Sequence, residues 1–374
     1  MLSTGEIYVY FHIPFCRRRC IYCDFVSSTS HNLVEDYFES LEMDLKMALG
    51  TLGRRSVKTI YFGGGTPSLV DSRYIGRLIR FVENISGMFE PLEVTLEANP
   101  ESFGKDKARD YVRMGVNRLS LGIQAADDGV LEMSGRSHDL KMAEKAAGIA
   151  AEYFDNYNFD FVIGLPGYDM EVVEKNLKFV ERFKPTHVSV YMLEVHEETP
   201  LFALIESGKI ALPDPDERAE MLDFMKDGLI GMGYRWYELS NYAMEGKESV
   251  HNTAYWLNED YLGFGVSAGG HVGRYRYVKT LNLREYIKDP SSLSYEREND
   301  DCQEFKETLF MGLRLIDGVE KERLVGFSGT FEKFYEDFKD DELFEIGDRI
   351  RLSVKGLNFS VEAFERIVGW DCGN

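Results

Sequence analysis

The chain has 374 residues, of which 44% are hydrophobic and 29% charged, proportions typical of a globular protein with a large buried core. Lysine and arginine number 43 against 64 aspartates and glutamates, and the net charge of −21 disfavours nucleic acid as a partner. No apolar run approaches the length of a membrane span, and the N-terminus lacks a signal-peptide pattern.

Apolar runs alternate with helical periodicities along the first part of the chain. Residues 7–13 are almost continuously apolar and aromatic, which predicts a strand buried on both faces, as in a parallel sheet. Residues 33–49 repeat apolar side chains at i, i+4 spacing and predict a helix. Further strands are predicted over residues 57–62, 93–100, 117–124, 158–163 and 186–193. Six strands that alternate with helices indicate parallel β/α units with right-handed crossovers.

Residues suited to a functional site follow the first five strands at or near their C-terminal ends: Cys16, Gly64, Glu97, Gln124 and Gly164. This is the face on which β/α barrels build their sites. The pattern fits a barrel over residues 1–240, and an open doubly wound sheet is the structural alternative.

The remainder of the chain, from residue 241 onward, differs in composition. Residues 241–295 are rich in glycine and aromatic residues and are predicted to form a connecting region. Residues 296–374 are predicted to form a small, mostly helical C-terminal domain, with a winglike hairpin near residues 349–352.

Three of the five cysteines are clustered in the loop after the first strand. Cys16, Cys20 and Cys23 have the spacing C-x3-C-x2-C, which allows three thiolates to converge on one metal centre. Structural zinc sites and cubic iron–sulfur clusters normally have four protein ligands, so three leave one position open. A zinc site completed by His12 is an alternative from the spacing alone.

The odd number of cysteines argues against a disulfide framework. Cys302 and Cys372 have no metal-like spacing, and we interpret them as structural or free thiols. Clustered thiols without a signal sequence or a disulfide pattern predict a protein of the reducing cytoplasm.

A glycine-rich motif, GGGTP at residues 63–67, ends the second predicted strand. Together with the cysteine loop it resembles the radical S-adenosylmethionine (SAM) superfamily, in which three cysteines hold a [4Fe–4S] cluster and SAM occupies the open iron. The resemblance implies that Cys16, Cys20 and Cys23 are the cluster ligands. It also favours a partial (β/α)6 barrel, followed by a winged-helix-like C-terminal domain.

The motifs EANP at 97–100, GIQ at 122–124 and GLPG at 164–167 follow the order of one branch, the coproporphyrinogen III dehydrogenase-like family. The resemblance implies these SAM contacts: Tyr10, Tyr22, Gly64, Gly65, Thr66, Glu97, Gln124, Arg136 and Asp160. Glu97 and Asp160 lie in strand-like apolar runs, where an unpaired carboxylate is costly, so each should have a partner or ligand. A mutual ion pair between Arg136 and Asp160 is the structural alternative.

Within that family, the chain looks like the HemW-type heme chaperone branch. Phe25 stands where the true dehydrogenase has a further cysteine, and 15 residues precede Cys16 where that enzyme has a long extension. Residues 251–256, HNTAYW, fit the H-N-x-x-Y-W signature of the chaperones. Imidazole is a standard axial ligand of heme iron, so His251 is the candidate heme contact, and His271 is a weaker candidate. The alternative for His251 is a hydrogen-bonded core histidine.

The resemblance implies a SAM- and [4Fe–4S]-binding protein that binds heme and delivers it to apoproteins, with respiratory membrane proteins as candidate acceptors. The alternative is an oxygen-independent coproporphyrinogen III dehydrogenase, which decarboxylates propionates in porphyrin biosynthesis. The residues assign no catalytic group and leave open whether the protein is an enzyme. We expect a cytoplasmic location, with peripheral contact to the membrane as an option.

Overall fold

The computed structural model describes residues 5–327 and 329–373. Within these residues the strands form one sheet of twelve and a separate sheet of three. Six parallel strands lie side by side in chain order in the large sheet: β1 Glu6–Ile13, β2 Ser56–Gly64, β3 Met88–Ala98, β4 Arg118–Gln124, β5 Tyr157–Ile163 and β6 His187–Met192. This order contains no reversal of the kind that defines a doubly wound sheet.

Helices follow these strands along the chain: α1 Val34–Met47, α2 Leu49–Leu52, α3 Ser72–Ile85, α4 Lys105–Arg113, α5 Asp128–Met133, α6 Leu140–Tyr153, α7 Met170–Phe183, α8 Pro200–Glu206 and α9 Pro215–Gly231. Contacts run in chain order from α1 to α3, α4, α6, α7 and α9. These helices therefore form one continuous layer. The Asp71 side chain accepts a hydrogen bond from the backbone N–H of Arg73 and caps α3.

Successive side chains of β1 point to opposite faces of the sheet. The residues of one face are fully buried in the main core: Ile7, Val9, Phe11 and Ile13. Tyr10 projects from the opposite face, where its ring lies 6.0 Å from Tyr61 and 6.4 Å from His251. One face of the strand thus builds the core and the other is free to form a site.

Residues beyond α9 extend both edges of the large sheet with β7 Arg235–Glu238, β8 Asn241–Ala243, β9 Tyr261–Phe264, β10 Gly269–Val272, β11 Tyr275–Lys279 and β12 Leu293–Glu298. β8 pairs with β6, and β9 pairs in parallel with β1. Two helices lie between these strands, α10 Val250–Trp256 and α11 Leu283–Lys288. Much of the predicted connecting region is therefore part of the sheet.

Strands β9 to β12 are absent from the sequence prediction, and in β9 and β10 glycine weakens the strand signal. Gly263 is required here by close packing, since a Cβ atom at this position would lie 1.9 Å from the carbonyl oxygen of Gly269. Gly263 therefore allows β9 and β10 to pack closely and also weakens the strand signal in the sequence.

The C-terminal part has its own core, formed by Phe305, Phe334 and Trp370 among others. It contains α12 Asp301–Gly312, β13 Val319–Glu320, α13 Thr330–Phe338, β14 Phe344–Ile346, β15 Arg349–Leu352, α14 Val354–Asn358 and α15 Ser360–Gly369. The strands form a small antiparallel sheet in the order β13-β15-β14.

Cys302 and Cys372 form a disulfide between positions 70 residues apart, with their Cα atoms 5.9 Å apart. The interpretation of Cys302 and Cys372 as structural or free thiols is therefore wrong, because an odd number of cysteines is also compatible with one bonded pair beside three free thiols. Among the described residues, no helix combines the length and apolar character needed to cross a bilayer.

Candidate functional site

The C-terminal ends of the parallel strands surround a cavity of about 480 Å³, which we call the thiol cavity. Its walls bring together all of the predicted cluster ligands and all but one of the predicted SAM contacts: Cys16, Cys20, Cys23, Tyr22, Gly64, Gly65, Thr66, Glu97, Gln124, Arg136 and Asp160. Tyr10 does not line this cavity. The loops after successive parallel strands meet at one edge, so residues 16 to 160 converge there.

The three cysteines are free and partly buried. Burial raises the pKa of the Cys16 thiol and raises that of Cys23 to about 11, so both are neutral thiols unless a cation compensates. No three Cys, His, Asp or Glu side chains among the described residues converge on a single-ion position. The thiols instead share the wall of one cavity.

Two of the thiols are linked by a chain of hydrogen bonds through Asn99. Thr66 Oγ1 donates to Cys16 Sγ at 3.7 Å and accepts from Asn99 Nδ2 at 2.9 Å. Arg136 donates to Asn99 Oδ1 at 2.7 Å and to Cys20 Sγ at 3.4 Å. These hydrogen bonds therefore hold together the segments that follow β1, β2, β3 and β4 around the thiols.

The donor set fits a [4Fe–4S] cluster. Thiolates are the usual ligands of such clusters, and the half-buried Arg136 guanidinium beside Cys20 would offset negative charge on a cluster. The Arg136 Nε atom has no hydrogen-bond partner in the described residues, so the guanidinium retains a free donor.

Glu97 is held at the end of β3 by two donors. Tyr61 donates to its carboxylate at 2.8 Å and the backbone N–H of Gly64 at 3.0 Å. Burial nevertheless raises the pKa of Glu97 to about 7, because these two donors offset only part of the cost of desolvation. Glu97 thus changes its charge near neutral pH.

Asp160 accepts hydrogen bonds from Ser120 at 2.9 Å and from Asn158 at 2.7 Å, and burial raises its pKa. It makes no ion pair with Arg136, whose partners are Asn99, Cys20 and, at 3.5 Å, Tyr22. The mutual ion pair weighed from the sequence is therefore wrong. Both charged groups face the same cavity independently.

Two backbone positions at the cavity require unusual conformations. Gly64 has φ +105°, and a Cβ atom there would lie 2.5 Å from the ring of His12. Gln124 has φ +68°, a strained value for a residue with a side chain. Strain of this kind concentrates at functional sites, and Gln124 ends β4 at the cavity wall.

Tyr10 lines a second cavity of about 440 Å³, which we call the aromatic cavity. Its ring-bearing walls are Tyr10, Tyr61, Tyr191, His251, Tyr255, Trp256 and Tyr261. Tyr61, Glu97 and Tyr191 line both cavities, so the two spaces adjoin.

His251 is fully buried in the wall of the aromatic cavity. Its Nδ1 atom lies 2.6 Å from Thr59 Oγ1 and its Nε2 atom 2.8 Å from Tyr255 Oη, so both ring nitrogens have partners. Burial lowers its pKa to about 3, which keeps the imidazole neutral. Binding to iron requires one of these hydrogen bonds to be exchanged.

His271 and Phe25 occupy different surroundings. His271 is buried, with Nε2 3.6 Å from Glu304, and lines neither cavity. Phe25 is 57% exposed and lines the thiol cavity.

Sequence reasoning missed two residues that position the site. Asn99 stands in the EANP motif, and a polar residue directly after a strand was the signal that could have identified it. Glu93 is buried in β3 and accepts hydrogen bonds from the backbone N–H groups of Val250 at 2.8 Å and His251 at 3.3 Å. Nothing local in the sequence links Glu93 to a helix more than 150 residues later.

Comparison with known proteins gives consistent results. The family model of the Radical SAM superfamily matches residues 10–180. The heme chaperone HemW of Bacillus subtilis is 31% identical over 373 residues, covering 96% of this chain and 98% of that protein. The heme chaperone HemW of Escherichia coli is 32% identical over 340 residues, covering 89% of each.

Among solved structures, the chain resembles coproporphyrinogen III oxidase HemN from Escherichia coli, described as a radical SAM enzyme. The TM-score is 0.82 at 21% identity, and the match covers 98% of this chain and 91% of that one. At this identity the likeness shows a shared fold, a mixed α/β architecture built on a large parallel sheet.

Proposed function

Because the chain belongs to the HemW heme chaperone family of the radical SAM superfamily, we propose that it binds heme and transfers it to acceptor proteins. One observation carries the proposal. The cavity lined by the HNTAYW residues His251, Tyr255 and Trp256 adjoins the cavity that contains the three thiols. A heme site and a SAM site would thus share the wall formed by Tyr61, Glu97 and Tyr191.

The thiol cavity is the proposed cofactor site. Cys16, Cys20 and Cys23 would hold a [4Fe–4S] cluster, which, when bound, supplies an open iron for the amino and carboxylate groups of SAM and an electron for its cleavage. The proposed SAM contacts are Tyr22, Gly64, Gly65, Thr66, Glu97, Gln124, Arg136 and Asp160, with Tyr10 at the adjoining cavity. The ionised carboxylate of Glu97 would attract the cationic ligand, and Arg136 would orient Tyr22 and Cys20.

We propose a division of the chain into three parts that fits this function. We interpret β1 to β6 and their helical layer as a partial (β/α)6 barrel over residues 1–240. Residues 241–295 would then be a connecting region and residues 296–374 a winged-helix-like domain. The parallel strands in chain order and the hairpin of β14 and β15 support this division.

The proposed partners are heme and heme-accepting apoproteins, with respiratory membrane proteins as candidate acceptors. The three free thiols at the site favour a reducing compartment, whereas the Cys302–Cys372 disulfide is of a kind that is rare there. We give the thiols of the site more weight and propose a cytoplasmic location, with peripheral contact to the membrane. Transfer is tested by mixing heme-loaded protein with an apo-cytochrome and following the heme spectrum. Retention of heme by the donor at equilibrium would contradict the chaperone proposal.

Heme binding tests the role of His251. Spectrophotometric titration of the full chain with heme should show at least tenfold weaker binding by His251→Ala, because the axial imidazole is lost. The matched control is His31→Ala, an exposed histidine outside both cavities, which should bind as the wild type does. Equal binding by His251→Ala would remove His251 from the site.

The same protein separates the chaperone from the dehydrogenase. Anaerobically reconstituted chain, supplied with coproporphyrinogen III, SAM and a reductant, should yield no decarboxylated product. Phe25 stands at the cavity wall where the dehydrogenase has a further cysteine. Sustained formation of protoporphyrinogen would establish the enzyme instead.

A further inference from the structure

Unpaired polar atoms gather at one end of the aromatic cavity. Four of its lining residues have a buried side-chain atom without a hydrogen-bond partner among the described residues: Glu238 Oε2, Asn241 Oδ1, Trp256 Nε1 and Arg314 Nε. Buried polar groups in folded proteins are nearly always paired, so such a group beside a cavity indicates a place for a ligand. We call these four residues the polar end of the cavity.

Arg314 supplies a permanent positive charge at the polar end. Its guanidinium lies 4.4 Å from the centre of the Trp256 ring, and it forms neither a side-chain hydrogen bond nor an ion pair with any described residue. The backbone is fixed, since the Leu239 N–H donates to the Arg314 carbonyl at 3.0 Å. A partly buried guanidinium held in this way is suited to a carboxylate, which it can bind through two parallel hydrogen bonds.

Glu238 and Asn241 complete the polar end. Glu238 is fully buried, and its Oε1 atom accepts a hydrogen bond from the Asn241 amide. Burial raises the pKa of Glu238, and the positive charge of Arg314 offsets part of this rise. The Arg314 guanidinium and the Trp256 indole N–H are therefore two free donors for an anionic acceptor, and Glu238 and Glu97 are the acidic residues that line the cavity.

We propose that the polar end of the aromatic cavity binds a carboxylate of the porphyrin cargo, with Arg314 and Trp256 as the principal donors. The inference rests on the proposed function, because heme supplies this carboxylate through its propionate groups. The remaining walls, with the rings of Tyr10, Tyr61, Tyr255 and Tyr261, suit a flat macrocycle. Specificity for the cargo then comes from the carboxylate, and the iron ligand is a separate determinant.

The experiment compares heme with heme dimethyl ester, in which both propionates are esterified. Wild-type full chain should bind heme about tenfold or more tightly than the ester, because a charge-assisted hydrogen bond is lost in the ester. Arg314→Gln should lower heme affinity to the level of the ester and leave ester affinity unchanged. The control is Arg351→Gln, a surface arginine of the same C-terminal part that pairs with Glu345 and lines neither cavity.

Trp256→Phe provides a second variant that keeps an aromatic ring and removes only the indole N–H. It should lose about threefold of the preference for heme over the ester, and it keeps the test available if Arg314→Gln does not fold. Equal affinity of the wild type for heme and ester would overturn the inference while the chaperone proposal stands. Equal weakening of both ligands by Arg314→Gln would also overturn it. Failure of the wild type to bind either ligand would contradict the proposed function and this inference together.

Discussion

At the scale of single residues, Glu97 shows how the fold sets the charge of a side chain. Its carboxyl accepts hydrogen bonds from Tyr61 and Gly64, yet burial raises its pKa from 4.5 to about 7. A raised carboxyl pKa contributes stability below pH 4.5 that is lost as the pH rises through about 7. The protonated form thus favours the empty folded protein, and a cationic ligand favours the ionised form.

Because protonation of Glu97 opposes the binding of a cationic ligand, we predict that the affinity for SAM depends on pH. Affinity of the reconstituted wild type should rise with pH up to about 7 and then level off, because below that pH the proton must leave before the cation binds. Glu97→Gln should bind more weakly, by about tenfold, and with no pH dependence between pH 6 and 8. Calorimetric titration measures both.

The matched control is Glu132→Gln, an exposed glutamate outside both cavities, which should keep the wild-type profile. A pH profile in Glu97→Gln identical to that of the wild type would show that another group governs the affinity.

At the scale of elements, the loops after several strands are held together through one amide. Asn99 follows β3 and joins Thr66, after β2, to Arg136, beyond β4. These partners in turn contact Cys16 and Cys20 in the loop after β1. The strand ends therefore act as one unit, since loss of the central amide leaves a donor and an acceptor unpaired on different loops.

Two substitutions of Asn99 should weaken these loop contacts to different extents. Asn99→Ala should lower the free energy of unfolding by about 1–3 kcal/mol, because buried partners lose their hydrogen bonds. Asn99→Asp should lose less, since it retains an acceptor for Arg136 and lacks only the donor to Thr66. Denaturant unfolding measures stability, and iron and sulfide content after reconstitution measures cluster retention. Full stability of Asn99→Ala would show that the loops are held by other contacts.

At the scale of the whole molecule, the C-terminal part is joined to the large sheet by backbone hydrogen bonds at one seam and by side-chain contacts elsewhere, such as those of Arg323 with Glu259 and of Arg276 with Glu307. The Leu239 N–H donates to the Arg314 carbonyl and the Ile316 N–H to the Tyr237 carbonyl, each at 3.0 Å. The disulfide Cys302–Cys372 closes this part on itself, joining the start of α12 to the chain end. A ligand at Arg314 would thus contact the seam between the two parts.

The number of cysteines that react with an alkylating reagent tests the disulfide. Alkylation of unfolded, unreduced apoprotein should label three of the five cysteines, and reduction should expose all five. Reduction should also destabilise the C-terminal part by about 4 kcal/mol, because it releases a loop of 70 residues in the unfolded chain. Mass spectrometry and thermal unfolding measure these effects, with Cys302→Ser as the control for the reduced state. Five labelled cysteines before reduction would contradict the bond.

The six parallel strands could be predicted from the sequence because each contains a largely apolar run, as strands buried on both faces of a parallel sheet do, and because helical periodicities separate these runs. The cysteine loop and the glycine motif were also evident, since their residues are adjacent in sequence and the chemistry requires a fixed spacing. Family membership followed from the order of these motifs.

The tertiary structure alone decided what depends on distance through space. Arg136 bonds to Asn99 rather than Asp160, Tyr10 lies in the aromatic cavity, and Cys302 meets Cys372. Strand β9 pairs with β1 although it contains a glycine that weakens the strand signal locally. In each case the deciding contact joins residues far apart in the chain, and its energy is gained only after the elements have packed, so no local pattern records it.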